Sequence, residues 1–381
     1  MARIVLGCYM VRYPLGGALS WPLQWLVGFQ RLGHDVYMFE RAGYAESCFD
    51  PSRNIMTDDC AFGVVAVRSL LERFGLEQRF SYLDTFGSYH GLARSVIDEV
   101  FRTADLFLDI GTHGTWLSEA ADARLRVIID LEPGFRQIKW RQALDSGEPI
   151  PQYDYYYTNG LNIGTPKATV PDLGIEWRHV MNPIVLDLVR PQPGRREDAA
   201  FTTVMNWQAH DPLNHRGLTY GQKDVEFGKF IELPRCVKVP MEIAVSGRIP
   251  RQALATAGWR VRSAHDVTCT YDSYHDYIGG SRGEFSVCKH VFVATNSGWF
   301  SDRSAAYLGS GRPVILEDTG FSQHLPCGRG LFAVRSQDEA AAAIGEVVAA
   351  ENRHRDWARE LAAEYFDTDK VLRRFLGQLG I

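Results

Sequence analysis

The sequence predicts an α/β protein made of two Rossmann-like domains that face each other across a cleft. At the start of the chain, an apolar run at 3–9 leads through a glycine-containing loop into a helical stretch and a second strand, as in a doubly wound sheet. The same alternation begins again after residue 198. The length of 381 residues suits two domains of roughly 150–200 residues each.

The first half alternates between short apolar runs and stretches with helical periodicity. Such runs, when bounded by turn residues, are typical of buried parallel strands. We expect helices at 23–32, 64–74 and 92–103, and strands at 3–9, 35–39, 106–110, 125–130 and 153–157.

The segment Arg190–Asp198 contains two prolines, a glycine and several charged residues, a composition typical of a linker between the two halves. Beyond it we expect helices at 221–233, 273–287 and 301–310 and a helical tail at 338–350 and 354–376, with strands at 201–206, 241–245, 259–262, 290–294 and 313–316. The predicted division is an N-terminal acceptor domain, a linker, a C-terminal donor domain and a final helix that packs back on the N-terminal domain: 1–189, 190–198, 199–360 and 361–381.

Composition narrows the class of protein. With 45% hydrophobic and 23% charged residues the chain reads as globular, and a net charge of −5 argues against a nucleic-acid partner. The seven cysteines are scattered without a CxxC pair, which favours reduced thiols in the cytoplasm. The apolar start is too short for a signal peptide, and no run reaches the roughly 18 residues of a membrane span. We therefore expect a soluble cytoplasmic protein.

The most informative stretch is 296–321, NSGWFSDRSAAYLGSGRPVILEDTGF. We interpret this stretch as the end of a strand, a tight turn at Ser297-Gly298 and a helix capped by Ser301. This arrangement would place free backbone N–H groups at the carboxyl edge of a parallel sheet. Such a helix start binds a diphosphate well. A turn of this kind also occurs in α/β units that bind nothing.

The ending LGSGRPVI at 308–315 resembles the donor-binding segment of GT-B glycosyltransferases, and 281–289 and 220–223 resemble a bacterial subgroup of that fold. The motif match is confined to about 220–325, whereas the alternating halves extend the likeness over the chain. The resemblance implies a GT-B fold and transfer of a hexose from a UDP- or dTDP-sugar to a hydroxyl of a small-molecule or glycan acceptor. We expect no metal and no other cofactor.

The chain departs from the family pattern at two positions. Ala306 and Gly298 stand where many members carry a glutamate. Asp302, one helical turn before Ala306, is the nearest acid on the same helix face. We expect it to hydrogen-bond the ribose hydroxyls, although an acid here could simply complement the helix dipole.

Basic side chains must supply charge, because a nucleotide diphosphate carries about two negative charges and a helix start only about half a positive one. The resemblance implies an Arg/Lys pair, for which Arg248 and Lys223 are the candidates. Acids and a glycine after the strand at 313–316 suit recognition of sugar hydroxyls. The predicted donor-binding set is Gly16, Gly17, Lys223, Arg248, Glu284, Lys289, Ser297, Gly298, Trp299, Ser301, Asp302, Arg303, Glu317, Asp318, Thr319 and Gly320.

A catalytic base should stand at a strand end facing the cleft. Asp109 and His113 come after the strand at 106–110, and a histidine has a suitable pKa for accepting a hydroxyl proton. Asp130 and Glu132 are alternatives at the next strand end. Asp367-Thr368-Asp369 spells a DxD metal motif but lies in the helical tail, so we assign it no role.

Two other functions remain open at this point. A sugar-nucleotide epimerase could use the same fold without an acceptor, and a nucleotide-sugar-binding protein could lack turnover, as the missing glutamates suggest. An NAD-dependent oxidoreductase is disfavoured, because no GxGxxG follows the first strand. The sequence leaves stereochemistry and acceptor undetermined.

Overall fold

The computed structural model describes residues 1–189 and 198–381. Apart from Asp198, the linker predicted at 190–198 lies outside the described residues, so the domain boundaries there stay predictions. Within the described ranges the chain forms two large β-sheets, each flanked by helices. The predicted α/β class is confirmed.

The N-terminal half contains an eight-stranded sheet in the order β10-β9-β8-β7-β1-β2-β5-β6 and a small β3–β4 hairpin. All neighbours in the large sheet run parallel except β5 and β6. Its central strands are buried on both faces, which explains their continuous apolar runs. The strands are β1 Arg3–Gly7, β2 Asp35–Arg41, β3 Cys48–Asp50, β4 Ile55–Thr57, β5 Phe80–Leu83, β6 Tyr89–Gly91, β7 Leu106–Asp109, β8 Arg126–Asp130, β9 Tyr155–Thr158 and β10 Trp177–His179.

The C-terminal half contains a six-stranded sheet in the order β15-β14-β11-β16-β17-β18, in which every neighbouring pair is parallel. A short β12–β13 hairpin stands apart from it. The strands are β11 Phe201–Asn206, β12 Leu213–His215, β13 Leu218–Tyr220, β14 Met241–Ser246, β15 Arg260–Ser263, β16 Gly283–Ser286, β17 Val314–Glu317 and β18 Leu331–Val334.

Helices cover the faces of both sheets. Within 1–189 and 198–381, no helix is both long enough and apolar enough to cross a bilayer. The helices are α1 Gly16–Arg31, α2 Ala61–Glu72, α3 Arg94–Arg102, α4 Phe135–Asp145, α5 Lys223–Phe227, α6 Leu233–Cys236, α7 Arg251–Ala257, α8 His265–Thr268, α9 Tyr271–Gly280, α10 His290–Ala294, α11 Asp302–Gly309, α12 Gln337–Ala349, α13 Glu351–Tyr365 and α14 Thr368–Leu379.

The last helix, α14, belongs to the core of the N-terminal half. The ring of Phe375 packs against Trp25 of α1 and Tyr157 of β9, with ring centroids 5.9 and 4.9 Å apart. The Tyr157 hydroxyl donates to Gln378 at 3.0 Å. Full burial of one phenylalanine stabilises a fold by about 1.5–3 kcal/mol. Phe375 is fully buried, so it contributes to attaching the C-terminal helix to the N-terminal half.

Two predicted elements around residue 290 are wrong. The helix expected at 273–287 ends at Gly280, and its second part is the buried central strand β16. The strand expected at 290–294 is the helix α10, because the four apolar residues after His290 form a run short enough to fit either structure. The turn at Ser297-Gly298 therefore follows a helix.

Candidate active site between the two sheets

A cavity of about 740 Å³ lies between the two halves of the molecule. Its walls come from residues at or just beyond the carboxyl ends of strands in both sheets. Gly17 and Glu132 line it from the N-terminal half, and Ser246, Gly247 and Lys289 from the C-terminal half. Loops at this edge form the ligand crevice of open α/β sheets, and the volume is that of a small-molecule site.

Three cations face this cavity from the C-terminal wall: Lys223 at the start of α5, Lys289 just before α10, and Arg303 in the first turn of α11. Lys223 makes no hydrogen bond or ion pair with any described residue. Burial, followed by the charge of Arg303, lowers the pKa of Lys223 to about 7. An anion placed beside it would stabilise its charged form. The cluster is therefore suited to a phosphate-bearing ligand.

Arg303 is held by the sheet beneath it. Its Nε donates to Glu284 Oε1 at 2.6 Å, its Nη1 to the Val204 carbonyl at 2.8 Å and its Nη2 to Ser286 Oγ at 2.7 Å. These bonds use three of its five N–H groups and leave two for a ligand. Glu284 itself is fully buried and does not line the cavity, so the structure places it as a positioning residue rather than a donor contact.

Lys289 forms an ion pair across the cleft. Its Nζ lies 2.7 and 2.6 Å from the two carboxylate oxygens of Glu132, a residue 157 positions earlier that follows β8. Glu132 lines both this cavity and a second one in the N-terminal half. The pair thus marks the junction of two compartments, and a bound diphosphate would compete with Glu132 for Lys289.

The start of α11 lines the cavity with Ser301, Asp302 and Arg303, as the sequence predicted. Asp302 is the acid in the first turn of this helix. Burial raises the pKa of Asp302, and the charge of Arg303 opposes that shift. A helix start carries only about half a positive charge, so a diphosphate at this position would depend on the side-chain cations around it.

The glycine turn before α11 joins the two halves and does not open to a ligand. At Gly298 φ is +74°, and a Cβ there would lie 2.7 Å from the backbone nitrogen of Asn162. Ser297 is fully buried, with its hydroxyl donating to the Phe292 carbonyl at 3.1 Å. Only Trp299 of this trio lines the cavity, where its ring packs on Phe292. Ser297 and Gly298 were predicted to bind the ligand because the packing between these distant segments is not visible in the sequence.

Glu317 also lies away from the cavity, contrary to expectation. It is 1% exposed, accepts from Lys229 Nζ at 3.2 Å and from the Cys288 backbone N–H at 3.1 Å. Burial, together with the neighbouring Glu226, raises the pKa of Glu317 to about 9. Its side chain therefore belongs to a buried network with Lys229, Glu226 and the Cys288 backbone.

The next three residues, Asp318, Thr319 and Gly320, are held by bonds that turn them from the cavity. Asp318 accepts from the Gly320 backbone at 2.8 Å and from Arg335 at 2.6 Å. The Thr319 hydroxyl donates to the Trp299 carbonyl at 2.6 Å. At Gly320 φ is +96°, a conformation that suits glycine. This loop supports the turn before α11, and none of the three residues lines the cavity.

Of the remaining residues predicted to bind the donor, one is packed between helices, one lines the cavity and one is exposed to solvent. A Cβ on Gly16 would lie 2.2 Å from the Tyr274 Cβ and 2.5 Å from the Thr270 carbonyl, so this glycine permits close contact of α1 with α9. Gly17 lines the cavity. Arg248 is exposed and lines a neighbouring open depression instead, because the chain turns outward after β14.

The second cavity, of about 640 Å³, lies wholly at the N-terminal sheet's edge apart from His210. His113 lines it with φ of +56°, and its Nδ1 lies 3.5 Å from both Nη atoms of Arg136. Desolvation, followed by the charge of Arg136, lowers the pKa of His113, which keeps the imidazole neutral and able to accept a proton.

Asp109, the other predicted catalytic residue, does not reach either cavity. It is fully buried and accepts from the backbone N–H groups of Thr112 and Gly114 at 2.8 and 2.7 Å and from the Tyr153 hydroxyl at 2.6 Å. These bonds fix the loop that carries His113. Its placement is that of a positioning residue.

Comparison with solved structures shows which fold this is. Anabaena HepE in complex with UDP and glucose matches with a TM-score of 0.56 at 13% identity over 100% of both chains. An alpha-glucosyltransferase in complex with UDP and a 13-mer DNA matches with a TM-score of 0.60 at 8% identity, again over 100% of both chains. The chain has the GT-B fold. A sucrose-phosphate synthase from Thermosynechococcus elongatus matches with a TM-score of 0.53 at 13% identity, over 99% of this chain and 98% of that chain.

No protein-family model and no curated protein sequence matches the chain. The GT-B fold explains why the cavity lies where it does, since two facing sheets bring their carboxyl edges together. Sequence reasoning gave Glu132 only a secondary place, and it missed Tyr274, which lines the cavity from α9. A motif-based reading had no signal for Tyr274, because its position depends on the packing of α9 against α1.

Proposed function

We propose that this GT-B protein transfers a hexose from a UDP- or dTDP-sugar to a hydroxyl group of an acceptor. The observation that carries the proposal is the cluster of Lys223, Lys289 and Arg303 in a cavity between the two sheets. That cavity meets a second one at Glu132, so a donor and an acceptor could lie side by side. HepE and the alpha-glucosyltransferase, which share the fold, were both captured with UDP.

The cations would bind the diphosphate and stabilise the charge that develops on it as the glycosidic bond breaks. Arg303 is already paired with Glu284, and Lys289 with Glu132, so Lys223 is the least compensated of the three. One well-placed donor to a leaving group contributes about 3–4 kcal/mol to catalysis. Three side-chain cations offer this stabilisation without a bound metal, so we propose a metal-independent reaction.

The acceptor would occupy the second cavity, whose wall includes the rings of Tyr13, Tyr44, Phe135 and Trp140. Aromatic walls favour a small planar or glycosidic acceptor. His113 is the proposed proton acceptor, with Glu132 as the alternative because it reaches both compartments. Loss of a general base costs about 10²–10⁴-fold in rate, so His113→Asn and Glu132→Gln identify which of the two carries the role.

Asp302 is proposed to accept hydrogen bonds from sugar or ribose hydroxyls, since its carboxylate borders the cavity. Asp302→Asn keeps the side-chain shape and removes the charge. If Asp302 binds a hydroxyl, the variant should bind a UDP-sugar at least about tenfold more weakly, the equivalent of one charge-assisted hydrogen bond. Unchanged affinity would remove Asp302 from the donor site.

The test of the function is a binding and transfer panel with UDP-, dTDP- and GDP-sugars. Lys223→Met should weaken donor binding, because it deletes an uncompensated cation, and Arg248→Met is the matched control, because Arg248 is exposed and lies outside the cavity. Failure of the wild-type protein to bind any nucleotide sugar, or equal effects of both variants, would refute the proposal.

Two alternatives are separated by products. NMR of UDP-N-acetylglucosamine incubated with the protein alone would reveal an epimerase by a new sugar epimer. Tight donor binding with neither hydrolysis nor transfer across an acceptor panel would indicate a non-catalytic binding protein.

A further inference from the structure

Three side chains of different chemical type converge at the outer edge of the N-terminal sheet, away from both cavities. Cys60 precedes α2, Asp84 follows β5 and His90 lies on β6. His90 Nε2 lies 3.4 Å from Cys60 Sγ and 2.8 Å from Asp84 Oδ2. One potential ligand atom from each residue lies within 4.8 Å of the other two.

These separations are close to the edges of a small coordination tetrahedron. With Zn–N near 2.0 Å and Zn–S near 2.3 Å, a tetrahedral angle places a sulfur and a nitrogen ligand about 3.5 Å apart. The Cys60–His90 separation of 3.4 Å already has this value. The Asp84–His90 pair would widen by about half an ångström to admit an ion between the two atoms.

We propose that Cys60, Asp84 and His90 form a zinc site, with water completing a tetrahedron. One sulfur, one nitrogen and one oxygen donor suit zinc, whereas magnesium and calcium prefer oxygen donors alone. This site departs from the expectation of no metal that was drawn from the sequence. Cys60 and His90 are 30 positions apart in the sequence, and the pairing of β5 with β6 brings His90 only to Asp84.

The surrounding backbone holds two of the ligands in place. Asp84 Oδ1 accepts from the backbone N–H groups of Phe86 and Ser88 at 2.9 and 2.8 Å, which leaves Oδ2 for the ion. His90 pairs with Tyr82 in the β5–β6 ladder, so its backbone position is set by the sheet. Such support of ligands by neighbouring hydrogen bonds is typical of metal sites.

A zinc ion here would connect the start of α2 with the β5–β6 hairpin. Ligands from these two segments make it a tertiary cross-link, and binding to the folded state alone stabilises the fold by mass action. This site is independent of the proposed glycosyl transfer, since none of its ligands lines either cavity.

The full-length protein, purified without chelator, should hold one zinc per chain by elemental analysis. After exchange with Co²⁺ it should show an intense thiolate-to-cobalt absorption band together with the visible bands of a tetrahedral ion. Cys60→Ser should lose the thiolate band, and His90→Asn and Asp84→Asn should each weaken Zn²⁺ binding at least about tenfold. Cys236→Ser, an exposed cysteine in the other half, is the matched control and should change nothing.

Two outcomes would overturn the proposal. One is a wild-type protein that takes up no stoichiometric Zn²⁺ and gives no thiolate band with Co²⁺. The other is a Cys60→Ser variant that binds Zn²⁺ as well as the wild type. Because the cobalt spectrum is measured on the folded wild-type protein, it decides the question even if a ligand variant fails to fold.

Discussion

Binding of a UDP-sugar should draw a proton onto Lys223. In the free protein burial and the charge of Arg303 lower the pKa of Lys223 to about 7, so about half of the molecules lack that proton at pH 7. A diphosphate beside the ammonium favours its charged form and raises the pKa. For a rise of about two units, binding should therefore take up about 0.5 proton at pH 7 and about 0.8 at pH 8.

The same pKa shift sets the pH dependence of affinity. Each unit by which binding raises the pKa corresponds to about 1.4 kcal/mol, so a rise of about two units makes binding roughly a hundredfold tighter at low pH than at high pH. Affinity should be constant well below pH 7, where Lys223 is already protonated, and fall as the pH rises above 7.

Isothermal titration calorimetry in two buffers of different ionisation enthalpy measures the proton uptake directly. UDP-glucose is a suitable ligand because its diphosphate does not titrate near neutral pH. Lys223→Met should bind more weakly and take up no proton. Uptake below about 0.1 proton at both pH 7 and pH 8, or equal uptake by Lys223→Met, would refute the reasoning.

Three further predictions concern the fold. Gly16→Ala should lower the thermal midpoint, because its Cβ would lie 2.2 Å from Tyr274 and overpacking costs about 1–3 kcal/mol, whereas Gly17→Ala, with its nearest contact at 3.8 Å, should not; equal midpoints would contradict this. Folded Glu317 keeps its proton to about pH 9 but an unfolded glutamate loses it near 4.5, so stability in urea should fall as pH rises through this window, and Glu317→Gln should remove part of that fall. Burial lowers the pKa of His275 to about 4 from 6.5, so stability should drop as pH falls from 6.5 to 4; a His275→Gln variant with the same acid loss would exclude this group.

The sequence alone was sufficient for the fold class and for most elements. The strand at 201–206 was predicted with the bounds that the structure has, and its centre, Thr202-Thr203-Val204, consists of β-branched residues that favour strands. The sequence-based prediction failed at 290–294, where the four apolar residues after His290 fit a strand or a helix equally well. The GT-B architecture followed from the repeated alternation and the motif at 308–315, both of which are local patterns.

The tertiary structure decided which of the predicted site residues face the cavity between the two sheets. Lys223, Lys289 and Arg303 face the cavity, yet Glu317 and Gly298 from equally suggestive loops are buried in packing contacts. In a loop at the carboxyl edge of a sheet, some side chains face the cleft and others face neighbouring loops and helices. The spacing of residues along the chain does not show which side chains face the cleft. The same limit hid the Glu132–Lys289 ion pair and the Cys60 cluster, because contacts between distant segments depend on how the sheets and helices pack.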